Sequence, residues 1–321
     1  MPKEIHIYQR SLHRFYPSHP FLQEFITKIK SIEAGFFGKT YADRFLKQIE
    51  FPKNHAIFKG LHIQTGLDSY LQIDTLIVTR KYIAILEIKN IKGKVHFQMN
   101  PKQIVRNLDG IITTYKCPEQ QILRHNIKLQ KLLLHLKIDL PIHNRIVFAF
   151  SSTHVVEPPE KVPVLMACDL PNHLEELNQL PDVLTISSFR KLIHFFKTHT
   201  SPFQPNPIAD QFNFDWNTLG KGVFCPNCKI QLVNQKSCPS CNVTRKILIH
   251  WAIEEWFHLC KHTISNRECV QFLNLHNKHQ ATYILKNLEL KPINSNKHRH
   301  YTFTTSFWLT KESTSKIIST Q

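Results

Sequence analysis

The chain has 321 residues, and its 42% hydrophobic and 11% aromatic content excludes a disordered protein and is enough to fill the cores of two domains. Its formal charge of +17 at neutral pH, before any of the 20 histidines is protonated, favours a polyanionic partner. Nucleic acid, DNA in particular, is the first expectation. The alternatives are an anionic membrane surface and a basic surface without such a partner.

No run of about 18 apolar residues occurs, so we expect no membrane span. The first 31 residues mix Lys, His, Arg and Pro without the continuous apolar stretch of a signal peptide. The cysteines form two Cys-Pro-x-Cys pairs with four single residues elsewhere, which is not the pattern of a secreted disulfide framework. These features predict a cytoplasmic protein.

Two helices are predicted first, over 21–33 and 38–49, with a break at Gly35. Pro118, a favourable first helical residue, later opens an amphipathic helix. Strands are predicted at 56–61, 70–79, 82–89, 94–99, 145–150 and 162–167.

The two central strands of this region are apolar on both faces. One predicted face carries Ile73, Ile77, Leu86 and Ile88, and the other carries Leu76, Val78, Ile83 and Ile85. Such strands need cover on both sides, which favours an α/β fold over a sheet with one solvated face.

Asp74, Glu87 and Lys89 are the charged residues of these two strands. If Arg80 and Lys81 form a two-residue turn, Asp74 lies directly across from Glu87, and Lys89 projects from the same face as Glu87. Opposed carboxylates on apolar strands repel each other and lose solvation. A divalent cation would relieve both problems, and the adjacent lysine suits phosphate chemistry, so the spacing favours a metal-dependent nuclease. The alternative is a hairpin whose charges point into solvent.

The same region resembles the nuclease-related domain (NERD) family of the restriction-endonuclease-like PD-(D/E)xK superfamily. The resemblance covers roughly residues 34–150. It rests on Ala34 to Gly38 before a helix, Gln72-Ile73-Asp74, Glu87-Ile88-Lys89-Asn90 followed by Gly93, and Pro118-x-x-Gln121-x-x-x-His125.

The resemblance implies a mixed sheet flanked by helices, with Asp74 and Glu87 as ligands of Mg²⁺ or Mn²⁺ and Lys89 as the catalytic lysine. It also implies that Gln121 is an additional catalytic residue near the site. His125 is an accessory candidate, because Gln121, His125 and Lys128 share one line of their helix, which could face the site or solvent.

One position departs from the family. Its members usually carry a glutamate directly after the glycine that starts the leading helix, where this chain has Lys39. Asp43, one turn later on the same face, is a candidate substitute. This departure is the best support for a second hypothesis, a non-catalytic DNA-binding or regulatory protein that uses a degenerate nuclease fold as a scaffold.

Two Cys-x-x-Cys pairs follow, Cys225 with Cys228 and Cys238 with Cys241, nine residues apart. Each pair can hold one side of a tetrahedral Zn²⁺, and four thiolates would close its coordination sphere, so a structural zinc ribbon is predicted. A redox dithiol is the competing interpretation, but it accounts for only one pair.

The last part of the chain is predicted to contain a helix over 247–260 and two short helices that begin near Ser265 and Asn277. With a hairpin around 294–296, they suggest a helix-turn-helix with a wing. A helical interaction domain with a solvated basic face is the alternative. The candidate DNA-binding residues are His279, Tyr283, Lys286, Lys297 and Arg299.

Together these patterns predict a protein that processes DNA by metal-dependent phosphodiester hydrolysis. A third hypothesis, an adaptor that binds a membrane surface or another protein, is supported by the charge alone. The predicted parts are an N-terminal helical segment (1–33), the nuclease-related domain (34–200), a Pro-rich linker (201–219), the zinc ribbon (220–245), the winged-helix-like domain (246–310) and a tail (311–321).

Overall fold

The computed structural model describes residues 2–67, 69–288, 290–294 and 299–303. The chain divides into two compact units. One unit comprises residues 33–203, and the other combines residues 1–32 with residues 204–321.

Two helices open the chain, α1 (Lys3–Ser11) and α2 (Leu22–Leu46). The predicted break at Gly35 is wrong, because α2 continues through it. A glycine inside a helix costs only about 1 kcal/mol relative to alanine. A Cβ atom at Gly35 would have no neighbour within 4 Å, so no packing contact requires a glycine there.

The elements of the unit 33–203 that follow α2 form two sheets and three helices. They are β1 (His55–Gly66), β2 (Ser69–Thr79), β3 (Ile83–Lys89), β4 (Gly93–Met99), β5 (Lys102–Leu108), β6 (Ile111–Lys116), α3 (Pro118–His135), β7 (Ile142–Phe148), β8 (Thr153–Glu157), β9 (Val164–Met166), α4 (Leu170–Asn178) and α5 (Ile186–His199).

Both sheets of this unit are mixed. The five-stranded sheet has the order β1-β2-β3-β7-β9, with β1 to β3 antiparallel and β7 and β9 joined in parallel. The four-stranded sheet has the order β6-β5-β4-β8, in which only the pair β4-β8 is parallel. The prediction of an α/β fold with a mixed sheet is confirmed.

Two hydrophobic cores cover the five-stranded sheet. One joins strand residues such as Leu76 and Ile85 to α3 and α5, and the other joins Ile77 and Leu86 to α2 and α4. The sheet is therefore flanked by helices on both sides, as its apolar strands predicted. Ile73 is an exception, because it packs in the same core as Leu76 and not with Ile77.

The remaining elements belong to the other unit. They are α6 (Ile208–Phe212), β10 (Val223–Cys225), β11 (Ile230–Leu232), α7 (Arg245–Leu259), β12 (Ile264–Ser265), α8 (Asn266–Leu273), α9 (Lys278–Asn287), β13 (Leu290–Ile293) and β14 (His300–Phe303). Part of the predicted linker 201–219 is folded here, since Ile208, Trp216 and Leu219 are buried in the core of this unit.

Buried ion pairs join α1 to α7 within this unit. Glu254 and Glu255 are each 2% exposed. From α1, Lys3 Nζ lies 2.7 Å from Glu254, and Arg10 contacts both carboxylates. Arg14, in the 3-10 turn that follows α1, adds a contact of 2.5 Å from its Nε to Glu255. Removing one partner of a buried pair leaves an uncompensated charge, so the N-terminal helix is a structural part of this unit.

No helix formed by the described residues is both long enough and apolar enough to cross a bilayer.

Candidate functional site

Asp74 and Glu87 lie on the neighbouring strands β2 and β3. The paired residues run from Val78↔Ile83 to Thr75↔Leu86, which is the strand register predicted from a two-residue turn at Arg80 and Lys81. Continued by one residue, the same register places Asp74 opposite Glu87. Asp74 Oδ2 also accepts a hydrogen bond from the backbone N–H of Ile88, at 3.3 Å.

Glu87 is a buried carboxylate whose hydrogen bonding is incomplete. Its side chain is 2% exposed, and Oε1 accepts a hydrogen bond from Lys89 Nζ at 2.7 Å. Oε2 is buried and has no hydrogen-bond partner among the described residues. Burial raises the pKa of Glu87, and the charge of Asp74 raises it further, while Lys89 and Lys39 oppose the change. An unpaired buried oxygen is unfavourable, and a cation would satisfy it.

The side chain of Lys89, the last residue of β3, lies between the sheet and α3. Its ammonium donates to Glu87 and also to Gln121 Oε1, at 3.3 Å. The structure therefore brings together four of the sequence-predicted residues: Asp74, Glu87, Lys89 and Gln121. The line of α3 that carries Gln121 faces the strands at this point and not solvent.

Lys39 pairs directly with Asp74. The distance from Lys39 Nζ to Asp74 Oδ1 is 2.6 Å, and the lysine side chain is 46% exposed. The residue that departs from the family pattern thus places a positive charge on one of the two carboxylates. Because the lysine is half exposed, its ion pair is weak and can be displaced.

Asp43, the candidate substitute for the missing glutamate, is engaged elsewhere. It pairs with Lys59, whose Nζ also donates to Thr75 Oγ1 at 3.2 Å. Burial lowers the pKa of Lys59, although Asp43 and Asp74 raise it. Within the described ranges, the four cysteines are the only group of three or more His, Cys, Asp or Glu residues close enough to share an ion, so Asp43 does not complete a cluster with Asp74 and Glu87.

His125 is half-buried on α3, one turn beyond Gln121. Burial, and then the charges of Lys128 and Arg124, lower its pKa to about 4, against an opposing effect of Asp74. His125 is therefore neutral at neutral pH. Lys128, the third residue of this line, donates to the backbone carbonyl of Tyr70 at 2.7 Å.

Close packing at Gly38 fixes the start of the segment that carries Lys39. A Cβ atom at Gly38 would lie 2.7 Å from Asn90 Cβ and 3.3 Å from Ala149 Cβ. Asn90 Nδ2 also donates to the carbonyl of Ala34 at 2.8 Å. The predicted motif from Ala34 to Gly38 is thus where α2 lies against the end of β3.

The four cysteines Cys225, Cys228, Cys238 and Cys241 form a compact cluster. Their Sγ atoms all lie within 4.8 Å of one another. Cys225 ends β10, and Cys228 lies in the turn that connects β10 to β11. Cys225 and Cys238 are fully buried. Burial raises the pKa of the Cys225 thiol to about 12, whereas the pKa of Cys238 falls to about 7, because the effect of burial there is outweighed by backbone hydrogen bonds. The donor set and the spacing fit Zn²⁺ in a closed structural site.

The last three helices and the sheet β12-β14-β13 form the carboxyl-terminal part. The predicted caps are confirmed: Ser265 and Glu268 form a capping box at α8, and Asn277 accepts hydrogen bonds from the first turn of α9. Asn274 takes a φ of 50° between the two helices. The left-handed position in this turn often carries a glycine, and asparagine tolerates the same conformation.

The predicted DNA-binding residues of this part are exposed and fall into two grooves. His279 and Tyr283 line one groove, and Lys286 and Arg299 line the other, together with Arg267, Lys278 and His300. Arg267 and Lys278 were not predicted from the sequence, because helix spacing alone does not bring them near Arg299. Lys297 lies outside the described residues.

Residues 34–149 match the family model described as "Nuclease-related domain" (NERD). This part of the chain is therefore a nuclease-related domain, as the sequence motifs indicated. No curated protein and no solved structure matched the chain.

Proposed function

We propose that the nuclease-related domain hydrolyses phosphodiester bonds of DNA with a bound Mg²⁺ or Mn²⁺. The observation that carries the proposal is the buried Glu87 carboxylate, with one oxygen unpaired, opposite Asp74 and beside Lys89. The NERD match supports a nuclease-related role for the same residues. A site that served only the fold would not need two carboxylates facing each other on apolar strands.

Asp74 and Glu87 would hold the cation, which polarises the phosphate and lowers the pKa of the attacking water. Lys89 lies close enough to Glu87 to place its ammonium beside the reacting phosphate, where it stabilises the developing negative charge. Gln121 orients Lys89 through its hydrogen bond. His125, with its pKa of about 4, adds no positive charge at neutral pH.

The other unit would supply DNA binding. Its zinc ribbon stabilises a small segment that cannot bury a large core, because metal binding supplies folding free energy. The order of α7, β12, α8, α9 and the hairpin β13-β14 supports this proposal, because a helix-turn-helix with a wing would have its elements in the same order. Lys286 and Arg299 would contact phosphates from the groove they share with Arg267 and Lys278.

A cleavage assay tests the proposal. Wild type is incubated with single- and double-stranded DNA, with and without Mg²⁺ or Mn²⁺, beside Asp74→Asn. We expect cleavage only with metal, and a fall of more than about 100-fold in Asp74→Asn, since losing a ligand should exceed the effect of losing an outer-shell partner. Asp109→Asn is the matched control, because Asp109 is exposed at a turn with a φ of 52° that asparagine also adopts. Equal residual cleavage in wild type and Asp74→Asn would show that this site is not a nuclease.

The ion pair between Lys39 and Asp74 favours a second candidate function, a DNA-binding protein without catalysis. In that case, neither wild type nor Lys39→Gln would cleave DNA with any divalent metal. DNA binding would persist without metal and weaken steeply with salt.

If the domain is active, Lys39 competes with the metal for Asp74. Lys39→Gln should then reach half-maximal cleavage at a metal concentration about two- to fivefold lower than wild type, the effect expected of a half-exposed ion pair. Lys92→Gln, which removes another exposed lysine of the same unit, should leave the metal dependence unchanged. A metal titration of the cleavage rate for the three proteins measures this difference.

A further inference from the structure

A groove beside α3 is lined by four basic residues. Arg124, Lys128, Lys131 and His135 face it from one side of the helix, and Gln64, Thr65 and Ser69 face it from the ends of β1 and β2. Their spacing of four, three and four residues is that of one continuous line along a helix. At 1.5 Å per residue this line is about 16 Å long, which is several nucleotides of a nucleic-acid strand.

The charge of this groove is not compensated locally. No carboxylate is found among the described residues that line it. Arg124 and Lys131 are exposed, and within the described part of the chain neither has an ion-pair partner. Lys39, Lys59 and Lys89, by contrast, all pair with carboxylates. Of the positive charges along α3, the unpaired ones in this groove are therefore the nearest to Asp74 and Glu87.

Apolar and aromatic side chains accompany the basic line. Ile127, 53% exposed, and Phe195 of α5 lie in the groove. Phe195 is half-buried, and its ring stacks on His199 of the same helix, with centroids 4.0 Å apart. Basic residues beside aromatic and apolar side chains are typical of proteins that bind single strands, because unpaired bases can pack there.

The groove is connected to the carboxylates through α3 itself. Gln121, one turn before Arg124, contacts Lys89. The pKa of His125 responds to Lys128 and Arg124 on one side and to Asp74 and Lys89 on the other. The basic line and the candidate site therefore lie within electrostatic range of each other.

We propose that the α3 groove binds a single strand of nucleic acid and leads it to Asp74 and Glu87. Phosphates lie on Arg124, Lys128 and Lys131, and bases pack against Ile127 and Phe195. This inference rests on the proposed function of the site, for which it supplies the substrate class, a single strand.

The test uses the double variant Arg124→Gln/Lys131→Gln in the full chain. Binding of a short labelled single-stranded oligonucleotide is measured by fluorescence anisotropy over a salt series without divalent metal. We expect weaker binding and a slope of log K against log salt that is shallower by about 1.4, two contacts at about 0.7 each. With metal present, KM for the strand should rise while kcat is retained.

Arg190→Gln/Lys197→Gln is the matched control. It removes the same number of charges from the same unit. Viewed along the axis of α5, Arg190 and Lys197 lie about 140° and 160° from Phe195, on the side of the helix turned away from that residue. The control should keep the wild-type slope. Phe195→Leu should weaken binding of the single strand more than binding of a duplex, because only unpaired bases can stack on the ring.

The outcomes separate this inference from the proposed function. If wild type cleaves DNA but the Arg124/Lys131 variant matches the control in slope and KM, the groove assignment is wrong and the nuclease proposal stands. If no protein cleaves but the variant still loses binding and slope, the groove assignment stands and the nuclease proposal fails. Equal losses for duplex and single strand in Phe195→Leu would also overturn the assignment. So would an Arg124/Lys131 variant that loses binding to phosphatidylserine vesicles but not to the oligonucleotide.

Discussion

Glu87→Gln is expected to reduce metal-dependent DNA cleavage by more than about 100-fold while leaving the fold intact. The amide has the shape of the carboxylate but is neutral and a poor ligand for Mg²⁺. Without metal, the variant loses a charged partner for Lys89, which retains its hydrogen bond to Gln121. It also no longer buries a carboxylate with an unpaired oxygen. These two effects oppose each other, so the free energy of unfolding should change by no more than about 1 kcal/mol.

Cleavage rates and thermal unfolding measure the two halves of this prediction. Added Mn²⁺ should raise the Tm of wild type but not that of Glu87→Gln, since only the protein that binds the ion is stabilised by it. Glu160→Gln, which changes an exposed glutamate of the same unit, serves as the control and should behave as wild type. Cleavage by Glu87→Gln within about tenfold of wild type would contradict the role given to Glu87.

Loss of metal from the four cysteines is expected to unfold the segment that contains them. Structural zinc contributes about 10–16 kcal/mol to the folding of isolated zinc-finger peptides, which is as large as the whole stability of a typical domain. Cys225 and Cys238 also pack in the same core as Trp216 and Trp256, so the disturbance should extend beyond the short hairpin. Cys238→Ser, or treatment with a strong chelator, should therefore destabilise the unit that contains α7 to α9.

Zinc content and hydrogen exchange test this second prediction. The purified protein should contain about one Zn²⁺ per chain, the number that four thiolates saturate. Chelation should accelerate amide exchange in β10 and β11 and in α7, where Trp251 and Trp256 lie. Cys168→Ser is the control, because Cys168 is exposed and outside the cluster. A protein that folds fully without zinc, or that carries disulfides between the four cysteines, would favour the redox interpretation.

The features that sequence predicted correctly are mostly local. A two-residue turn fixes the register of a hairpin, so Arg80 and Lys81 sufficed to place Asp74 opposite Glu87. The caps at Ser265 and Asn277 depend on residues within a few positions of each other. The spacing of the four cysteines is visible in the sequence itself, and it matches the tetrahedral coordination of Zn²⁺.

The features that sequence did not predict depend on residues far apart in the chain. The pairs Lys39–Asp74 and Lys59–Asp43 join separate elements, and Arg14 meets Glu255 across 241 positions. No periodicity signals such contacts. The change of face at Ile73 was also not predicted. It coincides with Gly60 of β1, whose φ of 60° falls between the pairs Lys59↔Thr75 and Leu61↔Ile73. Side-chain alternation along β2 changes between Ile73 and Leu76.

The claim that Asp74 and Glu87 hold a divalent metal is tested most directly by a crystal of the full chain soaked in Mn²⁺ and measured near the manganese absorption edge. We expect an anomalous peak within bonding distance of one oxygen from each carboxylate, with the Lys39 ammonium displaced from Asp74. The absence of a peak at saturating Mn²⁺, with Lys39 still paired to Asp74, would contradict the claim and favour a DNA-binding protein without catalysis.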